Sequence, residues 1–217
     1  MIITVAGFKG GIGKTTTSVH LAAYFQEIAP TLLVDGDPNQ SALTWTENGD
    51  FAFKAVPVAE LEQQLEKHNY QHIIVDTEAR PRAEDIRELA DNCDLLILPT
   101  KATALDLHAL LKTVEILEAL HARYRVLLTM VRPPKRTDKR TKRMAAREFL
   151  QCEQVSLFQT EIQLLAVFED APDEGAVVKD FSGLMAAKAW ASYCSLGQEI
   201  EAEMRQWQIE RKVPLSV

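Results

Sequence analysis

Residues 7–17 read GFKGGIGKTTT and follow directly on the apolar run MIITVA at residues 1–6. A phosphate-binding loop is written as glycine, four residues of any kind, then Gly-Lys-Ser/Thr. Counting back from Gly13, the first position of that pattern falls on Phe8, one residue after Gly7. The next residue, Lys9, is a lysine that the ordinary loop does not require. Strand, glycine-rich turn, Lys-Thr and helix is nevertheless the context in which such a loop works. Gly10, Gly11 and Gly13 let backbone N–H groups close around phosphates, with Ile12 between them. A helix beginning near Thr15 points its positive end at the same place. Lys14 would reach the β- and γ-phosphates of a nucleotide, the Thr15 hydroxyl would ligand Mg²⁺, and Thr16 completes the phosphate-binding segment.

Outward from this loop, short apolar runs alternate with amphipathic stretches. The runs at Ile2–Ala6, Thr31–Val34, His72–Val75, Leu95–Leu98 and Arg125–Val131 are too short for helices and rich in Val, Ile and Leu. They read as strands buried on both faces. Helical stretches are expected at Thr15–Phe25, Val58–Lys67, Ala83–Asn92, Asp106–Leu120 with Asp106 as N-cap, and Thr137–Phe149. The segment from Ser182 to Lys212 reads as one or two helices covering the sheet. This alternation predicts an α/β fold, a mostly parallel twisted sheet with helices on both faces. With 217 residues, 47% hydrophobic and 25% charged, a single domain spanning 1–217 is expected.

In such sheets ligands sit beyond the carboxyl ends of the strands. The second run ends in VDGDP, residues 34–38, where Asp35 and Asp37 share one side if the chain stays extended. One carboxylate could orient Mg²⁺ through water while the other positions an attacking water. The third run ends in HIIVD, which makes Asp76 a further carboxylate reaching Mg²⁺ through water. Thr77 and Glu78 then open a segment, running to Pro81, that would sense the γ-phosphate.

Taken together, KGGIGKTTT, LLVDGDPNQ, IIVDTEARP, LLTM at 127–130 and TEIQLLAVFEDAPDEG at 160–175 resemble the ParA/MinD family of deviant Walker P-loop ATPases. The resemblance runs from residue 1 to about 200 and is strongest to the ParA branch. Within it, small ParF-like plasmid-partition members and McdA-like carboxysome-positioning members are not separated by these motifs. It implies ATP and Mg²⁺ as cofactors and an ATP-dependent sandwich homodimer. Lys9 would reach across to the partner's nucleotide; Lys14 and Thr15 would act in cis. Asp37 would position water, Asp76 would be the Walker B residue, and Asp35 would support them. It also implies non-specific binding of double-stranded DNA, association with the nucleoid, and a cargo-bound adaptor that stimulates hydrolysis. Because the sequence opens on its first strand, the amino-terminal helix-turn-helix of larger relatives is not expected. Three departures from the ParA pattern stand out: Leu164 and Val167 where relatives carry Arg, and Ala104 where Pro is usual.

Net charge is −7, yet residues 132–147 hold eight basic residues against one acid, a local charge of +7 that leaves −14 elsewhere. Arg132, Lys135, Arg136, Lys139, Arg140, Lys142 and Arg143 form the candidate DNA contacts, since crowded cations without interleaved aromatics suit a phosphate backbone. No run approaches the roughly 18 apolar residues of a membrane span, and MIITVAGF lacks the basic start of a signal peptide. Three scattered cysteines, without a CxxC pair, speak against a disulfide framework or a metal cluster and fit a reducing cytoplasm. Two alternatives remain on the same fold. A MinD-like membrane-cycling ATPase would need a basic amphipathic carboxyl-terminal helix, whereas EIEAEMRQWQIERKV is acid-rich and its Ile200, Met204 and Trp207 read as a core-docking stripe. A biosynthetic small-molecule ATPase is the other.

Overall fold

The computed structural model describes residues 1–7, 9–79, 83–133 and 140–212. Seven parallel strands form one sheet in the order β3-β2-β4-β1-β5-β6-β7. They are β1 (Ile2–Gly7), β2 (Thr31–Gly36), β3 (Lys54–Pro57), β4 (His72–Ala79), β5 (Leu95–Lys101), β6 (Tyr124–Val131) and β7 (Leu157–Gln163). The helices are α1 (Lys14–Gln26), α2 (Ser41–Glu47), α3 (Leu61–Lys67), α4 (Ala83–Asp91), α5 (Ala104–Ala119), α6 (Lys142–Cys152), α7 (Val167–Asp173) and α8 (Leu184–Lys212).

Alternation along the strands sends successive side chains to opposite faces. Leu95 and Ile97 join the core under α1, α2, α7 and α8, while Leu96 and Leu98 join the one under α4, α5 and α6. Both faces of the central strands are therefore apolar, which is why they appear in the sequence as unbroken Val/Ile/Leu runs. A smaller cluster of Leu32, Val34 and Val56 lies at the β2–β3 end of the sheet, with Leu61 of α3 against it.

β1 pairs with β4 on one side and β5 on the other. From β1 the chain crosses through α1 to β2, beyond β4; from β5 it crosses through α5 to β6 in the other direction. The crevice at this reversal opens beyond the carboxyl ends of β1 and β5.

Several expected boundaries move. Asp106 is not the N-cap of α5: Thr103 is, its Oγ1 accepting from the Asp106 N–H at 3.3 Å. The helix expected over 58–67 opens as a 3₁₀ turn, Val58–Glu60, before α3. Of the helix expected over 137–149, residues 137–139 lie outside the described residues; α6 begins at Lys142, with Thr141 as N-cap and its Oγ1 accepting from Met144 N. β4 runs on to Ala79, because β1 continues past a bulge to pair Gly7 with Ala79. The carboxyl-terminal segment is one helix, and Ile200, Met204 and Trp207 pack into the core beneath it. Gly197 makes that packing possible, since a Cβ there would come within 2.1 Å of the Tyr24 ring of α1.

His20 ties the loop-bearing helix to this covering layer. Fully buried, it accepts a hydrogen bond at Nε2 from the Val178 N–H and so donates from Nδ1 to the Thr16 carbonyl, 2.7 Å away. Its ring stacks on Tyr193 and meets Trp45 and Phe168 edge-on. Burial lowers its pKa to about 4, against the Thr16 hydrogen bond that acts to raise it. The fold thus favours the neutral ring. This contribution is complete above pH 6.5 and is lost as pH falls from there toward 4. Urea unfolding should show about 2 kcal/mol of stability lost from this source between pH 7 and pH 5. His20→Phe should be less stable at pH 7 but show a flatter acid slope; an unchanged slope would remove His20 as its source.

Candidate nucleotide site

The loop between β1 and α1 takes its shape from glycines at two points. Gly13, the N-cap of α1, and Gly11 adopt left-handed backbone, φ 84° and φ 66°, where a side chain would be strained. A Cβ on Gly7 would lie 2.4 Å from Ile12 Cδ1. Gly7 is therefore the glycine over which the loop folds, and Ile12 closes down on it. At Gly10 and Gly11 an added Cβ would meet nothing within 4 Å, so the loop's outer rim borders open space. From behind, Thr129 Oγ1 of β6 donates to the Ile12 carbonyl at 2.8 Å and lies 3.2 Å from the Thr100 carbonyl of β5. The loop is thus held by the sheet as well as by its own turn.

Lys14, 7% exposed, makes no ion pair among the described residues. A buried ammonium in that state calls for an anion. Below it, the Ser18 hydroxyl donates to Asp76 Oδ1 at 3.0 Å, while Asp76 Oδ2 is buried and unpartnered. Burial pushes the Asp76 carboxyl up to about 6; hydrogen bonds from Thr15 and Ser18 and the Lys14 charge pull the other way, and Asp35 adds to the rise.

Asp35 stands opposite Asp76 across the β2–β4 ladder. Its Oδ1 accepts from the Asp37 N–H, and its Oδ2 from the Ala42 and Leu43 N–H groups at the start of α2. Both oxygens are thus committed to backbone, and Asp35 sets the path of the β2–α2 connection. Asp37 lies beyond the end of β2 rather than extending it, so simple alternation does not relate the two carboxylates. Its Oδ1 accepts from both nitrogens of Asn39, and the residue is half-exposed at the lip of the site.

Thr77 and Glu78 lie within β4 rather than in a loop after it. The Thr77 hydroxyl is buried and donates to the Val5 carbonyl at 3.0 Å, and Glu78 is exposed. Of the segment expected to follow them, residues 80 and 81 lie outside the described residues.

Lys9 does not fold over its own loop. It spans the β1–β5 crevice, Nζ lying 2.6 Å from Asp106 Oδ1, with Lys9 44% and Asp106 9% exposed at the side chain. Thr103 Oγ1 donates to the other Asp106 oxygen at 2.5 Å. Burial acts to raise the Asp106 pKa, but hydrogen bonds from Lys9 and Thr103 and the charges of Lys9 and Lys101 outweigh it and hold the carboxyl below its usual range. Asp106 is the site residue that sequence reasoning passed over. Its position in the first turn after a strand was visible; a partner 97 residues away was not.

The basic stretch is partly engaged. Arg140 pairs with Glu148, and Arg143 with Glu161 at 3.3 Å. Arg147 pairs with Glu161 and also donates to the Phe158 and Gln159 carbonyls, which fastens α6 to β7. Arg132 and Lys142 have no acidic partner among the described residues. Lys135, Arg136 and Lys139 lie outside them.

A parallel sheet whose central strand turns through glycines into a Lys-Thr helix, faced by carboxylates from the adjacent strand β4 and from β2 beyond it, is that of a P-loop nucleotide hydrolase. The chain belongs to the CobQ/CobB/MinD/ParA nucleotide-binding domain family, whose profile matches residues 3–178, and is an ATPase of its ParA branch. It is 32% identical to Maintenance of carboxysome distribution protein A of Gloeobacter kilaueensis, covering 94% of this chain and 96% of that one. It is 27% identical to Protein ParA of Rhizobium radiobacter over 64% and 69% of the two chains. An ATP complex of a Cyanothece McdA variant superposes with a TM-score of 0.71 at 16% identity, covering 92% of this chain and 96% of that one. An AMPPNP-bound putative plasmid partition protein from Borrelia burgdorferi gives 0.69 at 16%, over 93% and 98%. At such identities these two structures show the shared fold.

Asp35→Ala should leave three N–H groups without their acceptor and lower stability by about 2 kcal/mol at pH 7 in urea unfolding. Asp35→Asn keeps one carbonyl acceptor and should lose less. Equal stability of Asp35→Ala and the parent chain would contradict this role.

Proposed function

We propose that the chain is a positioning ATPase. One ParA-type domain, residues 1–217, closes on ATP into a sandwich homodimer that binds double-stranded DNA without sequence preference. A cargo-bound adaptor stimulates hydrolysis, which opens the dimer and frees it from the nucleoid. The cargo is a protein organelle such as the carboxysome, or a plasmid. The observation that carries this reading is the placement of Lys9: its ammonium is held to the side of its own loop by Asp106, leaving the loop's phosphate contacts to Lys14 and its backbone. Near-full-length similarity to a carboxysome distribution protein supports the choice of cargo.

Mg²⁺ fits the residues present. The orphaned Asp76 Oδ2 offers an acceptor to a metal-bound water, and Thr15 lies near enough to the same carboxylate to act to lower its pKa. Among the described residues no group of three or more His, Cys, Asp or Glu side chains could cage a metal. That agrees with an ion held by one hydroxyl, nucleotide oxygens and water. When bound, it would neutralise phosphate charge. Thr15 would be its direct protein ligand, with Asp76 and Asp37 beside its waters; Asp37, at the lip, would orient the attacking water. Lys14 would bind the β- and γ-phosphates in cis, with the backbone from Gly10 to Gly13 around them.

In the dimer, Lys9 would leave Asp106 for the partner's phosphates, bringing a second positive charge to a face that two nucleotides would otherwise keep apart. Lys9→Ala should therefore retain nucleotide binding, within about threefold by fluorescent-analogue titration, yet lose the ATP-dependent dimer in analytical ultracentrifugation and with it hydrolysis. Normal dimerisation of that variant on ATP would rule out the role in trans.

For DNA, the available cations are Arg132 and Lys142, with Arg140 and Arg143 able to exchange their carboxylate partners for phosphate. Dimerisation doubles the number of phosphates contacted, and log affinity scales with that number. ATP would thereby switch binding on. In co-sedimentation with duplex DNA, pelleting is expected with ATP and not with ADP or without nucleotide. Arg132→Glu/Lys142→Glu should abolish it and leave the dimer intact. Pelleting that ignores both nucleotide and charge reversal would overturn this part of the proposal.

A further inference from the structure

The helices α5 and α6 do not close against each other at the nucleotide edge of the sheet. Between them lies a cavity of about 420 Å³ floored by Ala102, Leu107, Ala145, Ala146 and Phe149. A second, of about 490 Å³, continues past the ends of β5 and β6 to Met130 and Leu164. The two share Ala102, Thr103 and Lys142, so they form one groove. Leu105 and Met144, in the first turns of the same two helices, are exposed apolar side chains.

The rim is cationic. Lys101, Arg132 and Lys142 line the groove; Lys101 acts on Asp106 through its charge, while Arg132 and Lys142 have no acidic partner among the described residues. Arg140 and Arg143 stand beside them. Such a concentration of positive charge, two of its members without an acidic partner, on a chain of net charge −7, selects an acidic occupant. A nucleic-acid backbone would use the rim but has nothing to set on the alanine, leucine and phenylalanine floor. A segment carrying apolar side chains on one face and carboxylates on the other uses both. The groove also borders the Lys9 contact, because Thr103, in its wall, is the residue whose hydroxyl donates to Asp106.

We infer that the α5–α6 groove is the docking site for a short acidic amphipathic segment of the partner protein. This rests on the partner-stimulated ATPase proposed above. An occupant resting on Thr103 presses on the residue that orients Asp106 and so bears on when Lys9 is released. It also covers Arg132 and Lys142, which sets partner and DNA in competition for the same cations.

The test uses fluorescence anisotropy with the full chain and a labelled peptide of leucine and glutamate, its leucines at i, i+3, i+4 and i+7. Twins in which every glutamate becomes glutamine or lysine serve as comparisons. The acidic peptide should bind at least roughly tenfold more tightly than either twin. Lys142→Glu alters an exposed side chain and Ala145→Trp fills the groove; each should weaken binding about tenfold while circular dichroism stays native. Absence of binding, equal binding of all three peptides, or binding indifferent to both variants would overturn the inference. Loss of duplex DNA binding in Ala145→Trp, with the peptide still unbound by the parent chain, would assign the floor to nucleic acid instead. ATP-dependent dimerisation and DNA pelleting are measured on the same preparations. If they fail while peptide binding holds, the positioning function is wrong and the groove stands; the reverse removes the groove alone.

Discussion

A strand paired on both sides has no freedom at its end. β1 is locked between β4 and β5, so the chain must leave the sheet at Gly7 and return over one face as α1. No neighbouring strand is available there to take the backbone N–H groups of the turn, and the open rim at Gly10 and Gly11 follows from that. Unsatisfied donors at a helix start attract an anion. The rest of the site is arranged around this need. β4 brings Asp76 alongside, β2 brings Asp35 and then Asp37, and β6 braces the loop through Thr129.

Charge is handled in two different ways at this edge. Asp76 is buried with one oxygen unanswered, a state that is tolerable because its pKa rises toward neutrality. Asp106 is answered twice, by Lys9 and Thr103. The first carboxylate leaves an acceptor open at the nucleotide edge; the second holds the Lys9 ammonium in place. Asp76 lies beside Val5 of β1 and Asp106 in the first turn after β5, so the two carboxylates flank the loop-bearing strand from its two sides.

The central strands were legible because both their faces are buried, which writes them as continuous apolar runs. β3 and β7 were not, because they are edge strands. In β7, Gln159, Glu161 and Gln163 alternate with Phe158, Thr160 and Ile162, which breaks the apolar run, and Glu161 meets α6 through arginine pairs rather than through methyl groups. The seven-residue α2 and α7 are too short to show a helical period. In the site, the loop residues and the strand-end carboxylates could be placed because the chemistry is contiguous in sequence. The commitment of Asp35 to the start of α2, the burial of Thr77 inside β4 and the Lys9–Asp106 pair could not. Each depends on how far a strand continues or on which strands become neighbours, and spacing along the chain carries neither fact.

The long covering helix α8 runs away from the nucleotide edge. Its far end brings Trp207 beside Met1, where Arg123 stacks over the indole at 4.9 Å. The start of β1 and the last turns of α8 thus meet at the opposite end of the molecule from Lys9. A fluorophore attached at a position such as Gln208 would therefore sit on the far pole. The two-sided geometry gives imaging and surface-immobilisation experiments attachment points that leave the nucleotide face unobstructed.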